Sequence, residues 1–118
     1  MAYFTLVNVE HRLKIDGGRP LFAWLDFRLI PSENADVSLS YVWRDARDER
    51  WNDAIRQGLN VFLNNRHNDG RKVGYTAIEM SRVISHPIDT DIHAVEYNMT
   101  RALEAAFQDH ETNPGLQP

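Results

Sequence analysis

Apolar and polar positions alternate from Tyr3 to Ile15. Tyr3, Thr5, Val7, Val9, Leu13 and Ile15 fall on one side, and Asn8, Glu10, Arg12 and Lys14 on the other. A period of two predicts a half-buried strand with one wet face. His11 lies on the apolar side, where a satisfied or edge histidine is the expected reading. Asp16-Gly17-Gly18-Arg19-Pro20 reads as a hairpin turn, because paired glycines take positive φ cheaply and proline sets the exit. Residues 21–30 predict a second strand, with Leu21, Ala23, Leu25, Phe27 and Leu29 on one face and Phe22, Trp24, Asp26 and Arg28 on the other. After a loop at Pro31-Ser32-Glu33-Asn34, the residues Val37, Leu39, Tyr41 and Trp43 alternate with Ser38, Ser40 and Val42 as a third strand.

The period then changes. Trp51, Ala54, Ile55, Gly58, Leu59, Phe62 and Leu63 form one apolar stripe at helical spacing. Asp48 is a candidate N-cap for that helix. Gly58 on the stripe costs about 1 kcal/mol relative to alanine, so it is expected where the helix must approach the sheet closely. Residues 73–84 return to a period of two, with Thr76, Ile78, Met80 and Ile84 on one face and Ala77, Glu79 and Ser81 on the other. A last helix starts after Asp89, Thr90 or Asp91 as cap. It runs to about Phe107 with Ile92, Val95, Met99, Ala102, Leu103 and Ala106 as its core stripe. The order is β-β-β-α-β-α. Each strand has one apolar face and each helix one apolar stripe. The expected architecture is therefore an α+β two-layer sandwich, a four-stranded sheet with two helices on one face. Residues 1–110 form one domain in this reading, and 111–118 a flexible polar tail.

Composition narrows the classes of function. The 118 residues are enough for one core, and 42% hydrophobic with 25% charged residues is an ordinary soluble balance. No apolar run approaches the ~20 residues of a membrane helix. Met1-Ala2-Tyr3-Phe4 has neither the basic nor the apolar part of a signal peptide. With no cysteine there is no disulfide, thiolate metal site or cysteine nucleophile, which agrees with a reducing cytoplasm. The net charge of -4 argues against general nucleic-acid binding, which works by neutralising phosphates. A local basic patch remains open, and arginine outnumbers lysine, which occurs only at Lys14 and Lys72.

The densest polar chemistry lies at residues 85–93. His86, Asp89, Asp91 and His93 bear the ligand chemistry of a divalent metal, but their spacing fits no known ligand motif. Capping carboxylates beside two exposed imidazoles are the expected reading, so neither a metal nor any other cofactor is assigned. His67 is expected to be solvated in the loop after the first helix. No nucleophile–base pair stands out, and no enzyme activity is expected. Phe22 and Trp24 on the wetter face could stack on bases, bury against a partner, or pair with the first strand. Val42 joins them as a candidate contact residue.

Three stretches carry a family resemblance. Gly17-Gly18-Arg19 precedes Trp24-Leu25-Asp26-Phe27-Arg28-Leu29-Ile30-Pro31. Trp51-Asn52-Asp53-Ala54-Ile55-Arg56-Gln57-Gly58-Leu59 follows, with Gly74-Tyr75 after it. His86-Pro87-Ile88-Asp89-Thr90-Asp91 comes next, and Ala102-Leu103-Glu104-Ala105-Ala106-Phe107 continues in step. Together they resemble the fourth domain of elongation factor G, over about residues 5–108. The resemblance implies the fold of the second domain of ribosomal protein S5. It also implies that the glycine-rich loop and the histidine loop are neighbours at one tip. Where the family has glycine, this chain has Pro20, and the stretch from Gly74 to His86 is several residues shorter. No phosphate-binding loop is present, so no nucleotide site or GTPase activity is expected. The expected function is a non-catalytic protein-interaction or structural module. The alternative is a translation-related module that contacts the ribosome or RNA through Gly17, Gly18 and Arg19 and through the loop at 85–89. Gly17, Gly18, Arg19, Trp24, His86 and Asp89 are the candidate contact residues.

Overall fold

A change of period separates two kinds of element, and the chain folds accordingly. The computed structural model describes residues 7–15, 21–32, 37–70 and 76–112. Strands β1 (Val7–Ile15), β2 (Leu21–Pro31), β3 (Ser38–Tyr41) and β4 (Thr76–Ile84) form one sheet. A 3-10 helix (Ala46–Trp51) leads into helix α1 (Asn52–Asn68), and helix α2 (Ile92–Thr112) follows β4. The strand order is β1-β2-β4-β3. β1 and β4 both run antiparallel to β2, and β3 runs parallel to β4. The result is the expected α+β two-layer arrangement, with a mixed sheet.

One face of the sheet is covered. Ala23, Leu25, Phe27 and Leu29 of β2 and Ile78, Met80 and Val83 of β4 are buried in one cluster. Ala54, Ile55, Leu59 and Phe62 of α1 join them, with Val95, Met99, Ala102 and Leu103 of α2. Val37, Leu39, Tyr41 and Trp43 pack at its margin. Tyr41 stacks on Trp43, and both hydrogen-bond to Asn52 at the start of α1. Burial pushes the Tyr41 phenol up, partly offset by Arg56.

Five sequence expectations are corrected. Val83, not Ile84, faces the core. The β2–β4 register shifts between Asp26 and Phe27, whose partners are Arg82 and Met80, so Ser81 is an extra residue. One inserted residue reverses the in-out alternation beyond it. The Ser81 hydroxyl donates to the Asp26 carbonyl at 3.0 Å and holds the bulge. Asp48 is not a helix cap. Asp45 caps the 3-10 helix by accepting from the Arg47 N–H. Asp48 is buried, and its carboxylate accepts from the Val83 N–H at 3.0 Å. Where β3 leaves the sheet, Val42 N–H reaches the Met80 carbonyl and Arg44 N–H the Ser81 carbonyl. Asp48 then serves the next free group on that side of β4.

Gly58 faces the other helix rather than the sheet. A Cβ there would lie 2.6 Å from the Glu96 carbonyl oxygen and 2.7 Å from Met99 Cβ. The Thr100 hydroxyl donates to the Gly58 carbonyl at 2.8 Å across the same seam. Ile92 is 61% exposed and takes no part in the core stripe of α2. That helix also continues past Phe107, to Thr112.

Asn98 ties α2 to the sheet. It is wholly buried, and its amide nitrogen donates to the carbonyls of His11 in β1 and Ala23 in β2. These two bonds orient the amide, so its oxygen is the acceptor for His11 Nδ1 at 2.6 Å. His11 is thus a satisfied histidine, protonated at Nδ1.

Candidate functional site

The residues that link β4 to α2 form a tightly bonded loop. Thr90 Oγ1 accepts from the His86 N–H at 2.7 Å and donates to the Phe22 carbonyl at 2.6 Å. The Asp89 carbonyl accepts from the Phe22 N–H at 2.9 Å. The loop is therefore pinned to the first residues of β2, just after the glycine-rich segment. Gly17, Gly18 and Arg19 themselves lie outside the described residues.

His86 works inward with one nitrogen and outward with the other. The N–H groups of Ile88 and Asp89 both point at its Nδ1, at 3.2 and 3.1 Å. Two donors need a lone pair, so the ring proton sits on Nε2. The 3.7 Å approach of the Asp89 carboxylate to Nδ1 is then a neighbour contact rather than an ion pair, because the backbone donors are nearer and occupy that nitrogen. The exposed ring offers Nε2–H to solvent. Asp91 accepts from the Ala94 N–H at 2.8 Å and is the cap of α2. Among the described residues no three histidine or carboxylate side chains come together to hold a metal ion.

Trp24 sits one strand position inward from the loop, opposite Arg12 on β1 and Ile84 on β4. Arg12 lies 5.5 Å from the Phe22 ring and 6.0 Å from the Trp24 ring. The two aromatics are half-buried beneath a cation and pair with the first strand. The Trp24 indole N–H is buried and has no hydrogen-bond partner among the described residues. Ile88 and Ile92 flank the same loop, 82% and 61% exposed. Sequence reasoning included Ile88 only as part of the loop at 85–89 and assigned Ile92 to the core stripe of α2, because Ile92 fits the helical spacing.

The open face of the sheet holds a second polar group. Asp26 is only 7% exposed, although it stands on the uncovered side. Its Oδ2 is bound by Arg82 at 2.6 and 2.8 Å, while Oδ1 is buried without a partner among the described residues. Arg28 pairs with Glu79 beside it. An aspartate at the centre of Trp24-x-Asp26-x-Arg28 is the one sequence signal that points here.

No protein-family model matches this chain, and no curated protein matches it. Among solved structures, a crystal structure of a protein from Thermus thermophilus is similar. It has a TM-score of 0.67 and 16% identity over 87% of this chain. The two share a fold. The match spans 16% of that protein's length, so this chain corresponds to a small part of it. Among the described residues no helix is long and apolar enough to cross a membrane.

Proposed function

We propose that this chain is a non-catalytic binding module whose contact surface is the loop around His86 and the adjoining start of β2, and that its partner is a protein. The observation that carries this reading is a loop held by its own hydrogen bonds while it presents Ile88 and Ile92 to solvent. A preformed loop loses little entropy on binding, and exposed aliphatic side chains gain by burial. The loop carries Asp89 and Asp91 and no arginine or lysine, which favours a protein over a polyanion. The likeness to the fourth domain of elongation factor G belongs to the same proposal. The two-layer fold and the motif His86-Pro87-Ile88-Asp89 support it.

A second reading, contact with ribosomal or other RNA, is favoured by one observation. His86 Nε2–H is free to donate, and the loop is pinned to Phe22, which pairs with Lys14 on β1 and lies under Arg12. Such a donor beside two cations can meet a sugar or phosphate. Photo-crosslinking separates the two. A photoreactive amino acid at Ile88 is expected to give a discrete protein adduct in cells, resistant to ribonuclease and lost with Ile92→Asp. The same group at Asn60, exposed on α1, serves as background. A ribonuclease-sensitive adduct would transfer the reading to RNA. It would also be matched by salt-sensitive ribosome co-sedimentation that fails in the Arg19→Ala, His86→Ala double variant. No adduct above the Asn60 background overturns both.

A further inference from the structure

A groove crosses the open face of the sheet at the bulge, away from the His86 loop. Its volume is about 610 Å³. Glu10 lies at one end on β1, and Val42 and Arg44 at the other, beyond β4. The row between them is set by strand register. Glu10 faces Asp26, Asp26 faces Arg82, and Arg44 bonds through its backbone to Ser81. Along this row charge therefore changes sign, from two carboxylates to two guanidiniums, while the neighbouring pair Arg28 and Glu79 runs the other way.

The central charges are already engaged. Arg82 holds Asp26, and Arg28 holds Glu79. The end charges are not. Neither Glu10 nor Arg44 has a side-chain hydrogen bond or ion pair among the described residues, and both are exposed. Glu10 also stands directly opposite another carboxylate, an arrangement that destabilises a strand pair. One oxygen of that Asp26 is buried and unbonded. The β1 end thus has an excess of negative charge that a cation would relieve. At the other end, the Arg44 guanidinium lacks an anion beside the 56% exposed Val42.

We propose that this groove binds an extended peptide segment of a partner protein, with a basic residue at Glu10 and an acidic residue at Arg44. The dimensions agree. Three inter-strand spacings separate the ends, about 14 Å at ~4.8 Å each. Four residue steps of an extended chain, at ~3.4 Å each, cover the same distance. Residues four apart in an extended chain also share a face, so both charged side chains point at the sheet. The apolar stem of the acidic residue lies against Val42.

The test is a titration of the isotope-labelled chain, followed by amide chemical shifts. The probe is a capped pentapeptide, Lys-Ser-Thr-Ser-Glu. Saturable shifts are expected at Glu10, Glu79, Ser81 and Arg44. Glu10→Arg and Arg44→Glu are each expected to weaken binding at least tenfold. Both side chains are exposed, so the variants keep the fold, which their own spectra report. Capped peptides with lysine at both ends or glutamate at both ends are expected to bind at least tenfold more weakly. No saturable shift at millimolar peptide overturns the proposal. Equal binding of the Lys–Lys peptide, or full binding to either variant, overturns it too, because general charge attraction would then suffice. The probe does not involve the His86 loop, so this outcome is independent of the function proposed for that loop.

Discussion

The two faces of the sheet are made from alternate residues of the same strands, yet different forces hold them. On the covered face, Leu25, Phe27, Ile78 and Met80 are closed off by α1 and α2. Of its buried polar groups, Asn98 and Thr100 are bonded to main-chain oxygens, while the Trp51 indole N–H has no partner among the described residues. On the open face, Asp26, Arg28, Glu79 and Arg82 form ion pairs whose arginines reach water, although Asp26 itself is nearly buried. The covered face leaves no slack, since a buried group that loses its partner has no water to replace it. The exposed arginines of these pairs can exchange partners with solvent, so each pair contributes little. The stability of this domain therefore resides on one side of the sheet, and the opposite side is free to vary for binding.

The largest expected break in that contrast is Asn98→Ala. It would strand two carbonyls and the His11 ring N–H in the core, at about 1–3 kcal/mol for each unpaired group. A loss of about 4 kcal/mol is expected in denaturant unfolding. A loss below about 1 kcal/mol would mean that the bonds made by Asn98 contribute little to the covered face. Gly58→Ala comes next. Alanine gains about 1 kcal/mol in helix propensity over glycine. The added Cβ, however, would meet the Glu96 carbonyl and Met99 Cβ, and overpacking of this kind costs roughly 1–3 kcal/mol or more. A net loss of about 2 kcal/mol is expected, and an unchanged melting temperature would refute the close seam between the helices.

On the open face the effects shrink. Asp26→Asn weakens the pair with Arg82, whose side chain is well exposed, and should cost about 1 kcal/mol or less. A cost equal to that of Asn98→Ala would erase the difference between the faces. Asp45 gives the smallest effect and a pH signature. Hydrogen bonds from the Arg47 guanidinium and backbone N–H hold its carboxyl down to about 2, from an ordinary 3.8. Folding lowers this pKa, so the pairing stabilises the folded state above about pH 4 and the contribution disappears as pH falls toward 2. The melting temperatures of the wild type and Asp45→Asn should therefore converge over that interval. A constant gap would show that the carboxylate charge is not involved.

Much of the fold was legible because it repeats. Alternation along residues 7–15, 21–31 and 38–41 marks three strands, and the stripe from Trp51 to Leu63 marks α1. Single residues with long-range partners were not legible. Asp48 looks like a helix cap because it lies just before a helical stripe, but its partner Val83 is 35 positions away. Asn98 looks like any polar residue in α2, since only the packed helix brings it over two strands. At the candidate site, the density of polar groups at 85–93 was visible, and so was a cap at Asp89, Thr90 or Asp91, of which the structure selects Asp91. The exposure of Ile88 and Ile92 was not visible, because exposure is a property of the assembled surface.

The sequence by itself determined the order of the four strands and two long helices and most of the apolar face of each, because local periodicity and side-chain chemistry are enough to do so. The tertiary structure alone decided that β4 lies between β2 and β3, that one extra residue at Ser81 turns Val83 inward, and that Gly58 admits α2. It also decided which charges are paired within the sheet and left Glu10 and Arg44 without side-chain partners among the described residues at the groove's ends. Those outcomes depend on which distant groups come within a few ångströms of each other, and no local pattern along the chain encodes that distance.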